Sequence, residues 1–225
     1  MPGLVNNVGK LYIIDGVDGC GKSTQTEILY NKLRSVESNV IKIKFPNYDS
    51  PSSALVKMYL GGELGLSADD VNPYAASSFY AVDRYASYIT EWKTAYEKGA
   101  VVVSDRYVSS NIIHQGSKFP EDAAPRYFEW LYDFEYIKLG IPKPDKVFFL
   151  NVSPFVSNRQ VEKRYNGDDN KKDIHENNLE YLLRCHKTGL LACELGFMTK
   201  IDCMDGEEIL SPERIHEKIM REIAL

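Results

Sequence analysis

The stretch "LYIIDGVDGCGKSTQTEILY", Leu11–Tyr30, decides the fold. Inside it, Gly16-Val17-Asp18-Gly19-Cys20-Gly21-Lys22-Ser23 fits the pattern G-x-x-x-x-G-K-[ST]. The glycines let the backbone curl so that successive N–H groups converge on one concavity, and the helix that follows turns its positive end toward the same point. In such a loop Lys22 reaches the β and γ phosphates, the Ser23 hydroxyl binds Mg²⁺, and Thr24 follows at the helix start. A chance glycine-rich turn fits the same letters. Here, however, the loop follows an apolar run, "KLYIID" (10–15), and opens a segment with Ile28, Leu29, Leu33 and Val36 on one helical face. That context points to a nucleoside triphosphate bound with Mg²⁺. Cys20 reads as a small residue that fits the turn; a reactive thiol with a depressed pKa at the helix N-terminus is the alternative.

Four more strands are predicted outward from this point. "VIKIKF" (40–45) alternates apolar and basic residues, as a strand near a sheet edge would. "AVVVS" (100–104), "KVFFLNV" (146–152) and "MTKID" (198–202) read as further strands, the first two as buried runs. Helical segments lie between them, several opened by a cap residue and proline: Ser50-Pro51, Asn72-Pro73, Ser153-Pro154 and Ser211-Pro212. The alternation predicts an α/β P-loop fold, a central five-stranded parallel sheet with helices on both faces. No repeat or linker interrupts residues 1–225, so a single domain is expected. The polar tract "EKRYNGDDNKKDIHENN" (162–178) reads either as a solvated loop or as part of a lid, about 159–176, that brings cations to the site.

Composition narrows the partners. The chain has 225 residues, 44% hydrophobic and 26% charged, enough for a substantial core. A net charge of −5 argues against general nucleic-acid binding, while a local basic pocket can still take a small phosphorylated ligand. No apolar run approaches the roughly 18 residues of a membrane span. The four cysteines show no metal-ligand spacing, and the N-terminus lacks the apolar core of a signal peptide, so a cytoplasmic protein is expected.

"GVDGCGKSTQ" together with "SDRYVSSN" resembles the thymidylate kinases, and "FPNYDSPSS", "FYAVDRY", "GIPKPDKVFFLNVSP" and "DIHENN" follow in the family's order and spacing. The resemblance implies transfer of a phosphoryl group from Mg-ATP to dTMP, and a homodimer built on the long helix after Asn72. It implies that Asp18 bonds the acceptor's 3′-hydroxyl, a reason for a carboxylate to stand among phosphates; a dipole-stabilised helix N-terminal carboxylate is the plainer reading. It implies that Arg106 clamps the acceptor phosphate and the transferred group, and that Asp105 lies near Mg²⁺; an ion pair between these neighbours is the alternative. Asn111 matches the position that bonds the pyrimidine edge, Tyr80 the stacking aromatic and Arg84 the arginine that touches the base. Core packing for Tyr80 and a surface ion pair for Arg84 stand against these. Phe45 and Tyr48 belong to the acceptor side.

Three departures are visible. Gly19 occupies the place where one group of thymidylate kinases carries an arginine, which likens this chain to the group with a basic lid; Arg159, Lys163 and Arg164 are the candidates. The tetrad Phe45-Pro46-Asn47-Tyr48 lacks the arginine of many relatives. Ile113-His114 stands where an alanine and an aromatic are usual, so His114 either excludes a ribose 2′-hydroxyl by bulk or hydrogen-bonds the sugar or its neighbours. The last two leave room for a kinase acting on another nucleoside monophosphate or a deoxynucleoside. A nucleotide-binding switch without transfer is the reading from a different class. Arg84, Arg106 and the basic tract favour transfer.

Overall fold

In the computed structural model residues 8–165 and 179–223 are described, 164 and 165 by backbone alone. β1 (Lys10–Asp15) is a continuous apolar run because both its faces are covered. Leu11, Ile13 and Ile14 are all fully buried, although successive side chains of a strand point to opposite faces. β3 (Val101–Asp105) and β4 (Lys146–Asn151) flank β1, both parallel to it. β2 (Val40–Lys44) lies beyond β3, and β5 (Thr199–Asp202) beyond β4. The result is a five-stranded parallel sheet in the order β2-β3-β1-β4-β5. The alternating strand is indeed at an edge, and each strand lies within one or two residues of its expected bounds.

Helices cover this sheet. α1 (Lys22–Arg34) packs across β1, β2 and β3; α8 (Leu179–Glu194) packs on β4 and β5. The approach of α8 is close at Gly189, where an added Cβ would lie 2.3 Å from the Phe149 ring. α3 (Pro73–Ser87) starts at Asn72, whose side-chain oxygen accepts from the N–H groups of Tyr74 and Ala75 at 2.8 and 3.4 Å. Ser50 caps a short 3₁₀ turn (Pro51–Ser53) in the same way before α2 (Ala54–Leu60). Pro154 opens α7 (Pro154–Tyr165), and Pro212 opens α9 (Pro212–Ile223).

α3 runs through a π-turn (Tyr88–Trp92) into α4 (Lys93–Glu97). α5 (Val108–His114) follows β3, and α6 (Ala124–Tyr132) ends in a second π-turn, Asp133–Lys138. A small antiparallel hairpin, β6 (Met204–Asp205) with β7 (Glu208–Ile209), precedes α9; the sequence reading did not anticipate it. Of the expected lid, residues 159–165 lie on α7 and 166–176 lie outside the described residues. Among the described residues, no helix is long and apolar enough to cross a membrane.

From β1 the chain moves to the β2–β3 side of the sheet, and later to the β4–β5 side. The loops that leave the carboxyl ends of β1, β3 and β4 therefore part around a crevice, the place where open α/β sheets bind ligands.

Candidate active site

The phosphate loop leaves β1 and curls because Gly16, Gly19 and Gly21 take φ of +146°, +82° and +94°. Gly19 is also hemmed in: a Cβ there would lie 2.2 Å from the backbone oxygen of Ser157 in α7. Val17 and Cys20 are buried beneath the loop. Burial pushes the Cys20 thiol pKa up against the pull of Lys22 and Arg106, so Cys20 is the small packing residue and not a depressed thiol. Lys22 folds back over the loop. Its Nζ donates to the carbonyls of Val17 (2.8 Å) and Gly16 (3.1 Å) and lies 3.4 Å from Asp18. Ser23 and Thr24 are exposed along a 560 Å³ cavity. Its far end is lined by Ile209, Leu210, Pro212 and Ile215, so the hairpin β6–β7 and the start of α9 supply an apolar wall. The Gln25 amide ties this wall to α1 by donating to the Pro212 carbonyl at 2.9 Å.

Arg106 follows β3 with φ of +70°, a left-handed conformation that costs on the order of 1–3 kcal/mol for a residue with a Cβ. Two hydrogen bonds hold it there: its N–H donates to the Ile14 carbonyl (3.0 Å), and the Ser104 hydroxyl donates to its carbonyl (2.5 Å). The guanidinium pairs with Asp18 and also meets Ser110 Oγ (3.3 Å), His114 Nε2 (3.2 Å) and Asp15 (3.9 Å). Burial lowers the Arg106 pKa, but the carboxylates of Asp18, Asp15 and Asp105 more than reverse this, so the cation is secured. The alternative reading, an ion pair between the neighbours Asp105 and Arg106, gives way to pairing of Arg106 with the loop after β1.

Of the residues expected on an acceptor side, Phe45 is buried, with its ring 5.8 Å from that of Tyr107. Tyr48 is 45% exposed. Tyr80 meets the Tyr59 ring edge-on at 6.3 Å. Arg84 is not a surface ion pair: it is buried, bonded to both oxygens of Glu135 (2.6 and 2.7 Å) and to the Tyr107 carbonyl (3.3 Å). Asn111 is buried beside it. His114 accepts from Arg106 through Nε2, because a guanidinium can only donate. Its proton is therefore on Nδ1, facing the Cys185 sulfur at 3.6 Å. Arg159 and Lys163 are exposed on α7, while the side chain of Arg164 lies outside the described residues.

Several site residues escaped the sequence reading. Asp15 is fully buried at the end of β1 and takes the Gly16 N–H (2.9 Å) and the hydroxyls of Ser109 (2.6 Å) and Ser110 (2.9 Å). Burial raises its pKa, opposed by Arg106, Ser109 and Lys22. A carboxylate closing an apolar run just before the loop was the signal for it. Asp83 accepts from Asn47 N–H (2.8 Å) and Ser52 Oγ (2.6 Å), which fastens the Phe45 loop to α3. Its place within "FYAVDRY" was legible; its partners were not.

The residues present fit Mg²⁺. Asp105 Oδ1 is buried without a hydrogen-bond partner, and Asp105 lines the same cavity as Ser23. One carboxylate and one hydroxyl are too few for an all-protein cage, and suit a hard cation that completes its shell with phosphate oxygens and water.

The thymidylate kinase family model matches residues 14–206 of the chain. A thymidylate kinase of Mycobacterium tuberculosis is 33% identical over 187 residues, which span 82% of this chain and 85% of that protein. A thymidylate kinase of Schizosaccharomyces pombe is 26% identical over 220 residues, which span 95% and 97%. Among solved structures, a Candida albicans thymidylate kinase superposes with a TM-score of 0.68 at 20% identity, covering 96% of this chain and 92% of that one.

Proposed function

The chain belongs to the thymidylate kinase family, and on that premise we propose how its residues carry a phosphoryl group from ATP to dTMP, giving dTDP and ADP. The observation that carries the reading is the meeting of two loops at one sheet edge: Lys22 and Asp18 after β1, and Arg106 after β3.

The backbone amides from Gly16 to Thr24 and the Lys22 ammonium hold the donor phosphates. Lys22 leaves the carbonyls of Gly16 and Val17 to reach them. Ser23 directly, and Asp105 through water, would hold Mg²⁺, which when bound would supply positive charge to the donor phosphates. Asp18 accepts from the 3′-hydroxyl of the acceptor sugar. Arg106, released from Asp18, turns its fork to the acceptor phosphate and the transferring group. Asn111 and Arg84 meet the pyrimidine edge, Tyr80 its face, and Phe45, Tyr48 and His114 the rest of the acceptor. The acceptor oxygen attacks the γ-phosphorus in line, and no covalent intermediate with the protein forms.

Positive charge beyond Lys22 and Arg106 comes from α7. Gly19 has no room for a side chain, which supports the group of thymidylate kinases whose cations arrive from the lid. Arg159 and Lys163, four apart on that helix, are the described candidates, with Arg164 next to them. Val82, Tyr85 and Ile89 form an exposed apolar stripe along α3 and the π-turn, and this supports a homodimer through that helix. All four cysteines are free, in keeping with a cytoplasmic setting.

The test is ADP release from Mg-ATP against dTMP, dUMP, UMP, CMP, dCMP, AMP, GMP and thymidine. The reading expects release that depends on an acceptor and strongly prefers dTMP. Preference for another acceptor would assign Tyr48 and His114 to a changed specificity, and slow hydrolysis without any acceptor would point to a switch.

A further inference from the structure

Glu135 is fully buried, the least expected place for a carboxylate outside the phosphate site. It lies in the π-turn Asp133–Lys138, whose wider ring shifts the helical register at this point. One oxygen takes Arg84 Nε at 2.7 Å, and the other takes Nη2 at 2.6 Å. That second oxygen also faces Asn111 Nδ2 at 3.5 Å, and the Ser77 carbonyl faces the same nitrogen at 3.3 Å.

These contacts fix chemistry as well as position. Burial pushes the Glu135 carboxyl pKa up, while Arg84 and Asn111 pull it back. Arg84 stays protonated, so the carboxylate has a permanent cation beside it. An ionised carboxylate and a backbone carbonyl can only accept hydrogen bonds. The face of the Asn111 amide turned to them must therefore be the NH₂. Oδ1 is then the amide's remaining polar atom. Arg84, for its part, has further N–H groups beyond those given to Glu135 and Tyr107.

We propose that Glu135 is a positioning residue that sets the hydrogen-bond polarity of the acceptor-base pocket, presenting Asn111 as an acceptor and Arg84 as a donor. The proposal rests on the reading that these two side chains face the base. Such a pocket takes a pyrimidine with N3–H beside a 4-carbonyl. It rejects one with an N3 lone pair beside a 4-amino group, because lone pair would then meet lone pair and N–H meet N–H. A glutamine at 135 loosens the constraint: its own NH₂ can donate to Asn111 Oδ1, which lets the asparagine turn over once its hydrogen bond to the Ser77 carbonyl and that of Arg84 Nη2 to residue 135 are given up.

The experiment compares wild type, Glu135→Gln and Asn111→Ala by kcat/KM with dTMP, dUMP and dCMP, alongside ATP affinity by titration. Glu135→Gln is expected to lower the dTMP:dCMP ratio by about tenfold or more, with the dTMP:dUMP ratio and ATP affinity unchanged. Thymine and uracil share the edge that is read, so a merely structural loss would lower all three acceptors together and leave the dTMP:dCMP ratio intact, overturning the proposal. If Asn111→Ala collapses that ratio and Glu135→Gln does not, the proposal alone fails. If Asn111→Ala leaves it unchanged, the base-facing reading fails and the proposal with it. Should Glu135→Gln not fold, Glu135→Asp keeps the charge but draws it away from Asn111. The same fall in ratio is then expected, and an unchanged ratio would refute the role.

Discussion

Arg106 and Asp18, 88 residues apart in sequence, form an ion pair that joins the loop after β1 to the loop after β3. Each holds the other's charge where an acceptor nucleotide would claim both. A sugar hydroxyl would take over Asp18, and a phosphate would take over Arg106. Asp18→Asn is therefore expected to lower kcat/KM for dTMP by about 10- to 100-fold, the range for one hydrogen bond to a charged group, with ATP affinity retained. Steady-state kinetics and an ATP titration check this; equal loss of both would assign Asp18 to the loop's structure alone.

Lys22→Ala is expected to cut kcat by about 10²–10³ or more, since it deletes the positive charge that the proposed mechanism brings to the donor phosphates. It also strips a donor from the carbonyls of Gly16 and Val17. A fall in Tm should accompany the kinetic loss. An unchanged rate would refute the assignment.

Gly19→Ala meets two obstacles at once, a positive φ and the Ser157 backbone oxygen. It is expected to destabilise by about 1–3 kcal/mol, which at roughly 2–4 °C per kcal/mol for a chain of this size is a readily measured fall in Tm. Gly19→Arg should lose stability likewise and gain no rate. A faster enzyme with unchanged Tm would show that α7 moves aside freely.

Lys118 sits 3.0 Å from the Val71 carbonyl and 3.2 Å from Tyr59 Oη, and burial lowers its pKa to about 8. Its folded pKa is thus below the ordinary lysine value. Between about pH 8 and 10.5 the unfolded chain binds the proton that the folded chain has lost, so stability rises with pH in that window. Relative to Lys118→Met, the wild type should gain about 1–2 kcal/mol across it, a figure discounted for partial exposure. Thermal unfolding of both proteins at pH 7.5 and about 10 tests this; parallel curves would contradict it.

Val82, Tyr85 and Ile89 recur at helical spacing and are each 42–51% exposed, a stripe suited to a second copy of the chain. Light scattering should give a dimer for the wild type and a monomer for Val82→Glu combined with Ile89→Glu. A monomeric wild type would end the proposal.

Legibility in the sequence followed the physical range of each signal. The five sheet strands were readable because burial on both faces makes a strand apolar throughout, and the edge strand declared itself by alternation. The phosphate loop was readable because its chemistry is local, nine consecutive residues from Gly16 to Thr24. Glu135 was hidden because a π-turn breaks the period on which helix reading depends. Asp15 and Asp83 were hidden because their partners lie 94 and 36 residues away. The hairpin β6–β7 has strands of two residues each, too short for any alternation to register. The posture of Lys22, folded onto its own loop, depends on three-dimensional satisfaction of donors and acceptors that no motif encodes.

Gly189 has a reach well beyond its own position. Because it lacks a side chain, α8 settles a methyl group nearer to β4 than any other residue would allow. Cys185 and Tyr181 stand one and two turns earlier on the same face of that helix, and both touch His114: the cysteine at its ring, the tyrosine hydroxyl at its carbonyl. The depth at which α8 lies against the sheet thus sets how tightly His114, in the proposed acceptor wall, is clamped. A single missing methyl works here as a spacer gauge for a pocket it never meets.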